Sequence, residues 1–144
     1  MKIKLINDPI TSDYGRNLLR ARGVKDVECF LYPDKSALQN WRDLENIKEG
    51  VNLIFALPAT ARIGIIVDCD VDGFTSASII GQYLTRYLPN LGINYYIHDG
   101  KAHGLEEHWE HIRDMNFDLL IVPDAGSNDS EYAKEIKCPI LVID

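Results

Sequence analysis

Ile63-Gly64-Ile65-Ile66-Val67-Asp68-Cys69-Asp70-Val71-Asp72-Gly73-Phe74 decides the reading of this chain. Its first five residues are apolar and mostly β-branched, the length and texture of a strand buried on both faces. Three aspartates then alternate with neutral residues, a glycine follows at once, and an amphipathic helix begins. Carboxylates this close repel one another, and one or more would take up a proton unless a cation neutralised them. A divalent metal is the simplest such cation, and at the carboxyl end of a strand it points to phosphate chemistry.

Outward from this stretch, strands and helices alternate. Residues 75–88 read as a helix with Ile79, Ile80, Tyr83, Leu84, Tyr87 and Leu88 on one face, ended by Pro89. Residues 93–97 read as a second strand, 105–115 as a helix, 117–122 as a third strand, 130–137 as a short helix and 139–143 as a fourth strand. The alternation predicts crossover connections, and therefore an α/β fold with a mostly parallel sheet and flanking helices. Ligand sites in such sheets lie at the carboxyl ends of the strands. Asp68, Asp70, Asp72, Asp124 and Asp144 all fall at or just past strand ends, so five carboxylates are expected on one rim.

Residues 1–60 read differently, as a helical and irregular segment. Asp13 can cap a helix stopped by Gly23, with Leu18 and Leu19 near its apolar side and Arg16, Arg20 and Arg22 exposed. Residues 27–31 form a short helix before Pro33, and 44–55 carry Leu44, Ile47, Val51, Ile54 and Phe55 at helical spacing. The expected organisation is a helical amino-terminal segment over 1–60 and an α/β domain over 61–144. A chain of 144 residues suits that size.

Composition narrows the class. The hydrophobic fraction of 46% and charged fraction of 26% are ordinary for a globular protein, and no stretch is long and apolar enough to span a membrane. The amino-terminal Met-Lys-Ile-Lys-Leu-Ile-Asn-Asp lacks the apolar run and cleavage site of a signal peptide. Cys29, Cys69 and Cys138 are scattered and odd in number, with no CxxC pattern, which favours a reducing, cytoplasmic setting. A net charge of −7 and a pI near 5.0 argue against a nonspecific DNA-coating protein. They do not argue against a nuclease, whose metals supply local positive charge.

Three other readings of the aspartates are weaker. A solvated turn explains a lone Asp-Gly, but not three alternating aspartates after a buried strand with further aspartates at other strand ends. A calcium loop of the EF-hand type also begins D-x-D-x-D-G, yet its twelfth position needs a bidentate Glu and here is Ile79, and a strand flanks it in place of a helix. A haloacid-dehalogenase-type phosphatase would have Thr or Val where this chain has Asp72.

The pattern closely resembles the DHH phosphoesterase superfamily, and within it the RecJ-type single-strand-specific DNA exonucleases. Residues 66–76, Ile-Val-Asp-Cys-Asp-Val-Asp-Gly-Phe-Thr-Ser, match their first motif, H-x-D-x-D-x-D-G-x-T-S, in all but the leading histidine. Val122-Pro123-Asp124-Ala125-Gly126 is similar to their second, V-D-x-G. Ala102-His103-Gly104-Leu105 is loosely similar to their G-Y-G-L step, and Phe30-Leu31-Tyr32-Pro33 to the F-L-x-P of their leading helical segment. Two departures stand out: Ile66 replaces the first-motif histidine, and the chain reaches Val142-Ile143-Asp144 before the two histidines of the name-giving D-H-H motif. The expectation is therefore a fragment of a longer protein, or a naturally short product, that hydrolyses nothing by itself.

The resemblance implies metal-assisted hydrolysis of a phosphodiester by two Mn²⁺ or Mg²⁺ ions, roughly 3.5–4 Å apart in such centres. Asp70, Asp72 and Asp124 would be ligands, and Asp68 a ligand or a base for the attacking water. Asp144 would orient a neighbouring histidine or ligate at the rim. Thr75 and Ser76 would bind a phosphate oxygen or simply cap the helix, and His103 would act on the substrate side. The remaining residues carry blander expectations: His98 as a surface imidazole, His108 and His111 with Glu106, Glu107 and Glu110 as a solvated polar face, and Arg16, Arg20, Arg22 and Lys25 as an exposed helix face. Cys69, between two aspartates, is no nucleophile. The implied substrate is single-stranded DNA or a short oligonucleotide. The alternatives are a relative acting on oligonucleotides, cyclic dinucleotides or polyphosphate, and a degenerate, non-catalytic module that binds partners.

Overall fold

The computed structural model describes residues 13–38, 40–100 and 103–144. The first twelve residues and Ala102, one position of the G-Y-G-L comparison, lie outside the described residues. The chain divides into two compact units, Met1–Ile47 and Lys48–Asp144.

The first unit is a series of short helices, each begun by an Asp or Asn whose side chain accepts an otherwise unpaired backbone N–H. Asp13 caps α1 (Tyr14–Ala21), Asp26 caps α2 (Val27–Leu31), and Asp34 and Asn40 cap single 3₁₀ turns at Lys35–Ala37 and Trp41–Asp43. Arg16 is not a free surface cation as expected: its guanidinium bridges Asp13 and Glu28, tying α1 to α2 and lowering the pKa of both carboxyls. Phe30 and Tyr32 of the F-L-x-P comparison are exposed.

The second unit is a four-stranded, all-parallel sheet in the order β2-β1-β3-β4. Its strands are β1 (Arg62–Val67), β2 (Gly92–Ile97), β3 (Leu119–Pro123) and β4 (Ile140–Ile143). Asp118 accepts the Arg62 N–H at 2.8 Å, aligning the starts of the two central strands. One face buries Ile63, Ile65, Val67, Leu119 and Ile121 against Ala77 and Leu84 of α4 (Val71–Tyr87), with Ile54 and Leu57, in and just after α3 (Ile47–Phe55), packed on the same cluster. The other face buries Ile66, Leu120 and Val122 with Leu105, Phe117, Ile136 and Ile112, the last in α5 (Trp109–Ile112), while Tyr132 and Ala133 of α6 (Ser130–Ala133) pack against it. Helices thus cover both faces, and the order reverses between β1 and β3, where such folds open a crevice.

Four helices differ from expectation. α4 begins at Val71, and its inward face is Gly73, Ala77, Gly81 and Leu84, while Ile79, Tyr83 and Tyr87 are exposed. Small residues let the helix approach the sheet closely, a choice that large-apolar periodicity overlooks. α3 starts at Ile47, because Asn46 takes a left-handed φ of 57°, and Leu44, Val51 and Phe55 stay exposed. The helix expected over 105–115 shrinks to α5, with turns leading into it, and that expected over 130–137 shrinks to α6.

Candidate functional site

The carboxyl ends of β1 and β3 meet at the switch point, and the aspartates gather there. Asp68 follows β1 and is 4% exposed. Its Oδ1 accepts its neighbour's N–H, from Cys69, at 3.1 Å, and its Oδ2 lies 2.6 Å from His103 Nδ1. Asp70 caps α4, accepting the Gly73 N–H at 2.8 Å. Asp72 stands exposed in the first turn of that helix. Gly73 has no substitute here: a Cβ would fall 2.5 Å from the Asp68 carbonyl oxygen, so the glycine lets α4 start directly beneath the strand end.

From β3 comes Asp124, in the left-handed region at φ 62°, a conformation that Asp tolerates better than most residues. Its N–H donates to the Ile143 carbonyl at 2.7 Å, which fastens the turn to β4. Burial raises its pKa, and Asp70, Asp72, Asp68 and Asp144 raise it further, in that order. The five aspartates therefore share one field. Among the described residues no lysine or arginine is ion-paired with any of them; Asp68 instead pairs with His103, whose pKa is raised by that hydrogen bond.

A cleft of about 310 Å³ opens beside this rim, lined by Asp68, His103, Asp124, Ser127, Asp129 and Asp144 among others. Asp144 accepts the Ser127 N–H at 3.3 Å. Asp129 carries no sequence signal of its place in this cleft. Its carboxylate accepts the Leu105 N–H at 2.7 Å, and it presses so closely on Gly104, at φ 65°, that a Cβ there would strike it. That contact joins the loop after β3 to the loop that carries His103, a tertiary relation with no local signature.

Thr75 and Ser76 stand one turn into α4. Thr75 Oγ1 donates to the Val71 carbonyl at 2.7 Å and Ser76 Oγ to the Gly73 carbonyl at 3.0 Å, so both hydroxyls serve the helix backbone, and the cap is Asp70. Ile66, at the position of the motif histidine, is 1% exposed and packs in the core cluster with Leu105 and Phe117. His98 corrects the expected surface imidazole: it is 3% exposed. It pairs with Glu107 and stacks on His108, so of the expected solvated face His108 is half-buried while Glu107 stays exposed. His111 and Glu110 remain exposed.

The rim donors are all carboxylate oxygens, the set that hard divalent cations such as Mg²⁺ and Mn²⁺ prefer. Burial and, after it, their mutual repulsion raise Asp124, and such a cation would relieve the repulsion.

Fold and site together define a doubly wound α/β domain with a carboxylate-lined cleft at its switch point. No family model and no solved structure matches the chain. Two curated proteins do. One, from Bacillus subtilis strain 168, is named provisionally as an SPbeta prophage-derived single-strand DNA-specific exonuclease, YorK; the other, from Bacillus phage SPbeta, carries the same provisional assignment. Each is 36% identical over 152 residues of alignment, covering 100% of this chain and 25% of the relative. The chain thus spans about a quarter of the length of the curated relatives it matches. Among the described residues no helix is long and apolar enough to cross a membrane.

Proposed function

We propose that this chain is part of a RecJ-like nuclease of the DHH phosphoesterase type, which hydrolyses phosphodiesters of single-stranded DNA with Mn²⁺ or Mg²⁺. The observation that carries the reading is the convergence of Asp68, Asp70, Asp72 and Asp124 at the ends of β1 and β3, where burial and then the neighbouring carboxylates raise Asp124. The provisional names of the two relatives support the substrate.

In this reading Asp70, Asp72 and Asp124 hold the metal, with Asp68 and Asp144 at its margins. When bound, the ion would polarise the phosphate and make water a stronger nucleophile. Asp68 holds His103 in place and raises its pKa, and the imidazole, with 71% of its side chain exposed, can meet a phosphate oxygen. Thr75 and Ser76 are secondary candidates for that contact, because each hydroxyl would first have to leave its helix carbonyl.

The test is nucleotide release from single-stranded and duplex DNA with Mn²⁺, by a protein spanning the relatives' full length. Expected is Mn²⁺-dependent release from the single strand, abolished by Asp70→Asn or Asp124→Asn. Hydrolysis of cyclic dinucleotides or short oligonucleotides alone would move the protein to the smaller relatives of the family. Failure to bind Mn²⁺ at all would leave only a partner-binding role.

A further inference from the structure

A second cluster lies outside the acidic cleft. His98 immediately follows β2, and its side chain is fully enclosed, at 0% exposure. Its Nδ1 lies 2.9 Å from Glu107 Oε2. The Glu107 carboxylate also accepts the Asp99 N–H at 3.1 and 3.2 Å. The His98 ring stacks on His108, centroids 4.9 Å apart and planes 22° from parallel. Nε2 of both rings is buried without a hydrogen-bond partner. Buried polar atoms almost always have partners, and leaving one without costs about 1–3 kcal/mol.

Tautomer chemistry indicates what these nitrogens want. An ionised Glu107 places the His98 proton on Nδ1, so Nε2 presents a lone pair and not an N–H. Histidines that ligate metals are held in just this way, with one ring nitrogen donating to a carboxylate and the other facing the ion. His98, Glu107 and His108 each offer a ligand atom, all within 4.8 Å of one another.

We propose that His98 and His108, with Glu107 holding the His98 proton on Nδ1, form a binding site for a single zinc-type divalent ion, separate from the carboxylate rim. Two imidazoles suit Zn²⁺, with waters completing the tetrahedron. The rim, with oxygen donors alone, suits Mg²⁺ or Mn²⁺. The two sites therefore differ in the ion they select. The zinc-type ion stitches the end of β2 to the turn before α5. The loop between carries His103, and fixing both its ends steadies the imidazole that pairs with Asp68.

The test is Zn²⁺ titration by calorimetry on the chain carrying Asp70→Asn and Asp124→Asn, which removes rim carboxylates while the amide oxygen introduced at position 70 can still cap α4. One Zn²⁺ per chain is expected, and adding His108→Asn should weaken it by more than about tenfold. X-ray absorption of the zinc-loaded Asp70→Asn/Asp124→Asn chain should show two imidazoles around the metal, and it decides the matter if the His108 variant does not fold. Absence of Zn²⁺ binding in that chain, binding unchanged by His108→Asn, or an all-oxygen shell overturns the proposal.

Discussion

Gly73→Ala sets two effects against each other at the base of the acidic rim. Alanine in a helix is favoured over glycine by up to about 1 kcal/mol, chiefly because it restricts the unfolded chain. Against this, the added Cβ would lie 2.5 Å from the Asp68 carbonyl oxygen, 2.7 Å from Asp68 Cβ and 2.9 Å from its carbonyl carbon. None of these is the tip of a flexible side chain, so α4 or the strand end must move. Overpacking of this kind costs about 1–3 kcal/mol, and contact with backbone belongs at the upper end. The net expectation is a loss of about 1–2 kcal/mol, or roughly 1 M in urea midpoint for an m-value near 1.5 kcal/mol/M. The shift carries Asp70 and Asp72 away from Asp124, so Mn²⁺ should also raise the midpoint less than in the unaltered chain. Urea unfolding followed by circular dichroism, with and without Mn²⁺, measures both. Gly15→Ala in α1 is the control, because a Cβ there meets nothing within 4 Å and should be neutral or stabilising. Equal effects from the two substitutions, or a stabilised Gly73→Ala, would refute the close-approach reasoning.

Three further outcomes are expected. Leu120→Ala empties a site that is 0% exposed between Ile66, Phe117 and Val122 and should cost about 2–5 kcal/mol in thermal or urea unfolding. Asp70→Ser keeps an α4 cap while Asp70→Ala loses it, so the alanine variant should be about 1 kcal/mol less stable than the serine variant, though both lose metal affinity in calorimetry. The raised pKa of Asp124 means the folded chain holds that proton more tightly than the unfolded one. Its stabilising contribution is then complete below the ordinary carboxylate pKa and is lost as pH rises through the raised value. Without metal, Asp124→Asn should therefore melt above the unaltered chain at neutral pH, with the gap closing as pH falls toward about 4; a gap that widens on acidification contradicts the sign.

The sheet was legible because its strands are short β-branched runs punctuated by Pro, Gly and Asp, and all four formed within two residues of the expected bounds. The helices were less so. Gly73, Ala77 and Gly81 carry the buried face of α4, and no hydrophobic periodicity marks them, whereas Ile79, Tyr83 and Tyr87 follow a helical period and remain in solvent. The acidic rim was legible for a topological reason: in a parallel sheet every residue just past a strand shares one edge, so alternation alone brings Asp68 and Asp124 together. Asp129 against Gly104 and His98 against His108 were not legible. Both depend on how loops from different crossovers meet, which spacing along the chain does not encode.

The order β2-β1-β3-β4 also has a kinetic meaning. The rim exists only when β1 has paired with β3, across a span in which Arg62 bonds Asp118, 56 residues away. Closing that distance costs chain entropy before any contact repays it, so such pairing comes late in folding. A cation that needs Asp70 and Asp124 at once has no purchase on earlier, partly formed chains. Its effect falls on the unfolding limb: it lengthens the life of the finished sheet without hastening its assembly.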